Sequence, residues 1–225
     1  MGDPVFDAFF ARYLPLSFSD KQQNIMRNSS CALLGMIGPS ILISHSLGSS
    51  SAFLATDGCP DYVKGHVSVE GDASPFASYD GGALGANKSV PTRPYGLATV
   101  PLAYDPPVTN ASQLVQAQTG KLEYTAGLVS KFPCIAQADT PPPRKLVNIA
   151  KAPVLYLTTE ASIHVTYDQC TVQFLQQAGV KVNATYLPDI GICGNGHYSM
   201  LEKNSDDIAA YIDCWIQGTV KSKNT

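Results

Sequence analysis

Charge is scarce in this sequence. Asp, Glu, Lys and Arg make up 15% of its 225 residues, and the 15 cationic side chains form no run anywhere. A surface that neutralises phosphates needs clustered Lys and Arg, so a nucleic-acid partner is excluded. Long apolar runs are missing too. Nothing approaches the roughly 20 consecutive apolar residues that span a bilayer, and the longest pieces, such as Pro153-Val154-Leu155-Tyr156-Leu157, are strand-sized. The opening Met1-Gly2-Asp3-Pro4, followed by Phe6, Phe9, Phe10 and Leu14, lacks the basic segment, apolar stretch and cleavage site of a secretory leader. No C-x-x-C pair and no His/Cys cluster at zinc-finger spacing occurs, so no metal centre is expected. Histidine is limited to four residues, which shortens any search for a general base.

What is present suits one globular domain. Hydrophobic residues reach 44% and the formal net charge is only -3, enough apolar material for a sizeable core. Six cysteines (Cys31, Cys59, Cys134, Cys170, Cys193 and Cys214) allow up to three disulfides, whose pairing spacing alone does not fix, or else buried thiols. Four sequons begin at Asn28, Asn87, Asn110 and Asn183. Together they favour an oxidising, extracellular setting for the parent protein.

The chain alternates between helical and strand periodicity. Asp20 to Ile37 reads as a helix, with Ile25, Met26, Leu33, Leu34, Met36 and Ile37 at helical spacing and Gly38-Pro39 as its stop. Ser40 to Ser44 reads as a strand apolar on both faces, as in a parallel sheet. A helix opens at Gly48, and Val63 to Glu70 supplies a second strand. Residues 71 to 152 differ: prolines and glycines punctuate them, with short helical pieces predicted near Ser112 to Gln118 and Leu122 to Val129. So long an irregular segment inside one domain reads as a cover over a binding site. Ala152 to Thr158 is a strand, Thr166 to Gln177 a helix closed by Gly179, Val180 to Leu187 a strand. Ser205 caps a last helix whose Ile208, Tyr211, Ile212, Trp215 and Ile216 share one face. This order predicts a parallel, doubly wound α/β sheet in one domain spanning 1 to 225.

Chemistry concentrates in two loops. Ser44-His45-Ser46-Leu47-Gly48 sits between a buried strand and a helix, where G-x-S-x-G forms a sharp turn that projects a serine nucleophile. Ser44 replaces the first glycine with another small residue. A serine hydroxyl needs a base within hydrogen-bond reach. His197, in Gly191-Ile192-Cys193-Gly194-Asn195-Gly196-His197, lies between the last strand and the last helix, the place the α/β-hydrolase order assigns to it. His45 reads as structural, and His66 and His164 as surface or packing residues. The carboxylate that would orient His197 is left open between Glu70 and Glu160, each ending a strand, with Asp72 and Asp189 nearby; the commonest arrangement of the superfamily favours Glu160. One backbone donor for an oxyanion would be Leu47; a second normally comes from a loop after an earlier strand.

Ser44-His45-Ser46, Cys59-Pro60-Asp61-Tyr62-Val63-Lys64, Val69-Glu70 and Pro75-Phe76 resemble a branch of secreted bacterial and fungal esterases of the α/β-hydrolase superfamily. Gly194-Asn195-Gly196-His197 with Met200, Leu201, Glu202 and Asn204 extends the resemblance over nearly the whole chain. In that branch the acid is a glutamate after the strand that follows the nucleophile, which implies Glu70 rather than Glu160. The branch also carries further strands ahead of the serine, so the sequence reads as starting part-way into its domain, with the first strands of the sheet missing.

The resemblance implies hydrolysis of carboxylic esters through an acyl-enzyme on Ser46, with His197 as base and Glu70 as its partner. It implies a small-molecule ester as substrate and no metal or organic cofactor. Oligomeric state is left open. Phe76, Tyr79 and Tyr95 are candidates for substrate contact, packing within the cover being the plainer role for each. The rival reading is a non-catalytic α/β-hydrolase-like fragment without a complete oxyanion hole.

Overall fold

A computed structural model describes residues 2–11, 19–72, 74–79, 89–120 and 133–222. In chain order its helices are α1 (Pro4–Phe10), α2 (Asp20–Ile37), α3 (Gly48–Gly58), α4 (Asp168–Gln177) and α5 (Ser205–Ser222). The strands are β1 (Ser40–His45), β2 (Val63–Val69), β3 (Phe76–Tyr79), β4 (Ser89–Arg93), β5 (Tyr104–Asp105), β6 (Gln116–Gln118), β7 (Ile135–Gln137), β8 (Lys145–Leu146), β9 (Val154–Thr158) and β10 (Val182–Tyr186).

The centre is a four-stranded sheet in the order β1-β2-β9-β10, parallel throughout. Strands that add sequentially through right-handed crossovers place their connecting helices on one face. Phe53 and Leu54 of α3 and Phe174 and Leu175 of α4 accordingly share a buried cluster with Val154 and Tyr156. Val67, Val69, Leu155 and Leu157, on the other face of the pleat, pack against Ile208, Tyr211, Ile212 and Trp215 of α5. The central strands β2 and β9 are covered on both faces, which suits the apolar run of β9, whereas β1, at the edge of the described sheet, leaves Ile43 exposed.

Helix α2 departs from its periodicity. Leu34 is buried, whereas Ile25, Met26, Leu33, Met36 and Ile37 are exposed. Its packing partner is α3, to which Cys31–Cys59 ties it at the far end. A second disulfide, Cys134–Cys170, joins the segment before β7 to α4; Cys193 and Cys214 are free and exposed, so the third possible bridge does not form.

The described parts of the segment from 71 to 152 hold more regular structure than its composition predicts. Three antiparallel ribbons, β3–β4, β5–β8 and β6–β7, run through it. The helix predicted over Ser112 to Gln118 is instead a single 3-10 turn, Ala111–Gln113, followed by strand β6. Asn110 caps that turn by accepting from Ser112 N–H, and pairing with β7 then takes the backbone bonds a helix would have used. The helix predicted over Leu122 to Val129 lies outside the described residues. Leu97, Val100, Leu102 and Leu146 of this segment are buried in the same cluster as α3 and α4, so it forms part of the core. Among the described residues, no helix is long and apolar enough to cross a membrane.

Candidate active site

The C-terminal ends of β1 and β2 lie side by side, His45 opposite Val69, and each strand runs directly into a residue with left-handed backbone. Ser46 has φ 53° and Glu70 φ 51°. Such a conformation is strained for a side chain other than glycine and persists only where its surroundings hold it. At Ser46 they do. Its N–H donates to Val69 O at 3.1 Å, and its carbonyl accepts from Asp72 N–H at 3.0 Å and from Ser49 N–H at 3.0 Å. Arg93 in turn grips the Asp72 carboxylate at 2.9 Å.

The serine in place of the first glycine has its own role. Ser44 Oγ lies 2.7 Å from His66 Nε2 and 2.9 Å from Ser49 Oγ, so its hydroxyl ties β1 to β2 and to the first turn of α3. His66 is fully buried, against the edge of Phe53, and burial pushes its pKa down to about 3. It is therefore a neutral packing residue, as its sequence position suggested. The close approach on the β2 side is made by Gly71: a Cβ there would collide with the hydroxyls of Ser68 and Ser49.

His197 is brought to Ser46 by the loop after β10. Gly196 N–H donates to Glu202 Oε1 at 2.8 Å, buried Asn195 reaches Glu202 and Asn204, and Asn195 O accepts from Ala161 N–H. His45 Nε2 donates to the His197 carbonyl at 2.8 Å, so the residue beside the serine secures the histidine's backbone. His197 Nε2 lies 3.0 Å from Ser46 Oγ and Nδ1 lies 3.1 Å from Glu70 Oε2. Glu70 is fully buried. Its other oxygen accepts from Thr159 N–H at 2.7 Å and Thr159 Oγ1 at 2.9 Å, which leaves Oε2 for the imidazole. Because a carboxylate only accepts, this pairing puts the proton of neutral His197 on Nδ1 and turns Nε2 toward the serine as an acceptor.

Glu160 goes elsewhere. It is exposed and accepts from Gly194 N–H at 2.7 Å, bracing the loop of His197 rather than its ring. Asp189 is exposed on the turn Leu187–Ile190. Leu47 is the N-cap of α3, with no side chain capping it, so its N–H is at the positive end of a helix immediately beside Ser46. Among the described residues no strand precedes β1. Phe76 is buried in the core, edge-on to Phe174, and Tyr95 is half-buried; the Tyr79 side chain lies outside what is described.

One residue of the site escaped sequence reasoning. His164, expected at the surface or in ordinary packing, is buried and stacks face to face on His197, ring centroids 4.7 Å apart and planes within 4°. Its signal was available: four residues on, Asp168 occupies the first turn of α4, a spacing at which side chains meet. Glu70, His164 and His197 offer ligand atoms within 4.8 Å of one another. A metal ion binds an imidazole in the ring plane, however, and two parallel stacked rings cannot both point their planes at one ion. The cluster suits proton chemistry.

Burial lowers the pKa of His197, more than the bond to Glu70 raises it, with the charge of His164 adding to the lowering. The ring is neutral at pH 7, the form that can accept a proton.

A serine in a left-handed turn between a parallel strand and a helix, with a histidine from the loop after the last strand beside it, has the layout of a nucleophile elbow. The fold is a parallel α/β sheet with helices packed on both faces. No family model matches the sequence. The chain is 34% identical over 226 residues to a probable secreted lipase, phiG, of Fungal sp. (strain ATCC 74256), a match covering 96% of this chain and 57% of that protein. It thus spans little more than half the length of that curated relative. A novel bacterial esterase superposes with a TM-score of 0.49 at 16% identity, over 86% of this chain and 42% of that one. The monoacylglycerol lipase of Paleococcus ferrophilus gives 0.42 at 15% identity, over 89% and 75%.

Proposed function

We propose that this chain carries the acyl-transfer centre of an extracellular carboxylic ester hydrolase, with Ser46 as nucleophile, His197 as general base and acid, and Glu70 as the carboxylate that orients it. The observation that carries the reading is the unbroken path from Ser46 Oγ to His197 Nε2 at 3.0 Å and from Nδ1 to Glu70 at 3.1 Å, built on a serine in left-handed backbone. The match to a secreted lipase and two disulfides support an ester substrate and an oxidising compartment.

Ser46 Oγ attacks the ester carbonyl carbon while His197 Nε2 takes the hydroxyl proton. The tetrahedral oxyanion draws on Leu47 N–H, at the N-terminus of α3. When the intermediate collapses, His197 returns the proton to the departing alkoxide, and the acyl group stays on Ser46. A water molecule then loses its proton to His197, attacks the acyl carbon, and releases the carboxylic acid with Ser46 restored. Glu70 holds the imidazole in the required tautomer and stabilises the imidazolium formed in each half. The described residues act as one domain, in which the described parts of 71 to 152 supply both core and cover for the centre.

In the intact protein, Ser46→Ala lowers p-nitrophenyl butyrate hydrolysis by about 10³-fold or more with an unchanged circular dichroism spectrum. A fluorophosphonate labels wild type and not the variant. A Ser46→Ala protein that retains wild-type turnover overturns the assignment. A folded wild type that neither turns over nor labels favours the non-catalytic reading instead.

A further inference from the structure

His164 is buried, yet the site as described gives it no task. It is also held more firmly than packing needs. Its Nδ1 lies 3.2 Å from Asp168 Oδ1, and its Nε2 lies 3.3 Å from the Tyr167 hydroxyl. Asp168 is itself fully buried and braced. Thr158 Oγ1 donates to its Oδ2 at 2.8 Å, and the Tyr156 hydroxyl, which donates to Gly71 O, lies 3.2 Å from Oδ1. Strand β9 and helix α4 thus hold the carboxylate, the carboxylate holds the ring, and the ring lies flat on His197.

We propose that His164 is a positioning residue for ester hydrolysis, fixing the plane of the His197 ring by stacking and, as an imidazolium paired with Asp168, opposing protonation of His197. The inference rests on the reading of Ser46, His197 and Glu70 given above and adds a regulator of that base.

Two parallel rings 4.7 Å apart cannot both be cations without direct repulsion, whereas a neutral ring beneath a cationic one is attracted through its π face. Which ring keeps the proton depends on what faces each. His164 faces Asp168 from α4, Tyr167 beside it, and Glu70 and Asp72 from the segment after β2, with Arg93 balancing Asp72. Burial works against its charge, but the bond to Asp168 and the charges of Asp168, Glu70 and Asp72 outweigh it, and its pKa stands above the ordinary value. His197 faces Glu70, His164 and His45, is the more exposed of the two, and moves the other way. The proton therefore stays on His164 while His197 remains free to accept one from Ser46.

The test is the acid limb of kcat/KM against pH, which reports the free enzyme's base. In wild type the limb lies below pH 6.5, the ordinary value for histidine. His164→Phe keeps a flat ring on His197 and removes the charge. Its limb moves to higher pH by about one unit, so the ratio of kcat/KM at pH 8.5 to that at pH 5 rises about tenfold. His164→Gln, which keeps a polar bond to Asp168, moves the limb the same way and also lowers kcat through loss of the stack. Should neither variant fold, a histidine-ring NMR titration of wild type decides: His197 loses its proton at lower pH than His164. An unmoved limb in a folded variant, or His164 titrating first, overturns the inference. Failure of the underlying reading looks different, since wild type would then show no fluorophosphonate labelling at Ser46.

Discussion

Glu70 with His197 and Asp168 with His164 are each a carboxylate bonded to imidazole Nδ1, at 3.1 and 3.2 Å, and the two imidazoles are stacked on one another. Their surroundings separate them. His197 is reached from a glycine-rich loop, keeps 24% of its side chain exposed, and has a serine hydroxyl at its other nitrogen. His164 is 5% exposed, is built onto the start of α4, and has a tyrosine hydroxyl there. On the reading proposed above, the same two functional groups therefore do different things. Where one nitrogen faces an exchangeable hydroxyl at the surface, the pair can pass a proton; where both nitrogens are enclosed, it can only keep one.

The comparison breaks first on activity. Glu70→Gln leaves the imidazolium of His197 without its partner and lowers kcat by about 10² to 10⁴-fold, measured on p-nitrophenyl esters. Asp168→Asn, one layer removed from the serine, gives a smaller loss. Equal losses would make the two pairs a single functional unit. Stability sharpens the contrast in the reverse direction. Asp168→Ala leaves the buried His164 ring and the Thr158 hydroxyl without the carboxylate that holds them, costing about 3 to 5 kcal/mol in chemical denaturation. The smallest effect is expected at Glu160→Gln. That side chain accepts one bond from Gly194 N–H, which an amide oxygen can still accept, so kcat changes by about threefold or less. A larger loss there than at Glu70 would return the acid to the position after β9.

The fold was readable because its signals are local. Both-faced apolar strands, helices of three to five turns and the Gly38 and Gly179 stops all follow from a few consecutive residues, and each forms where expected to within a few positions. Segment 71 to 152 was less readable. Its ribbons are short, their pairing joins residues far apart in sequence, and Gln116-Ala117-Gln118 becomes a strand only because Ile135–Gln137 lies beside it. Helix α2 shows the converse: its apolar spacing is genuine, but spacing cannot say which of its faces meets α3.

For the site, the sequence by itself singled out Ser46 and His197, because a strand–small turn–helix and a glycine-rich loop are properties of adjacent residues. It left Glu70 and Glu160 equivalent, each a carboxylate at the end of a strand, until a family resemblance was invoked. Only the tertiary structure shows which of the two lies against the His197 ring. In a parallel sheet, neighbouring strands end together, so Glu70 after β2 meets Thr159 after β9 and turns under His197, 127 residues away. Glu160, one residue further on, faces the opposite way and meets Gly194. The stack of His164 on His197 was likewise invisible, since a contact between two rings depends on where two loops are held in space, and no run of neighbouring residues encodes that.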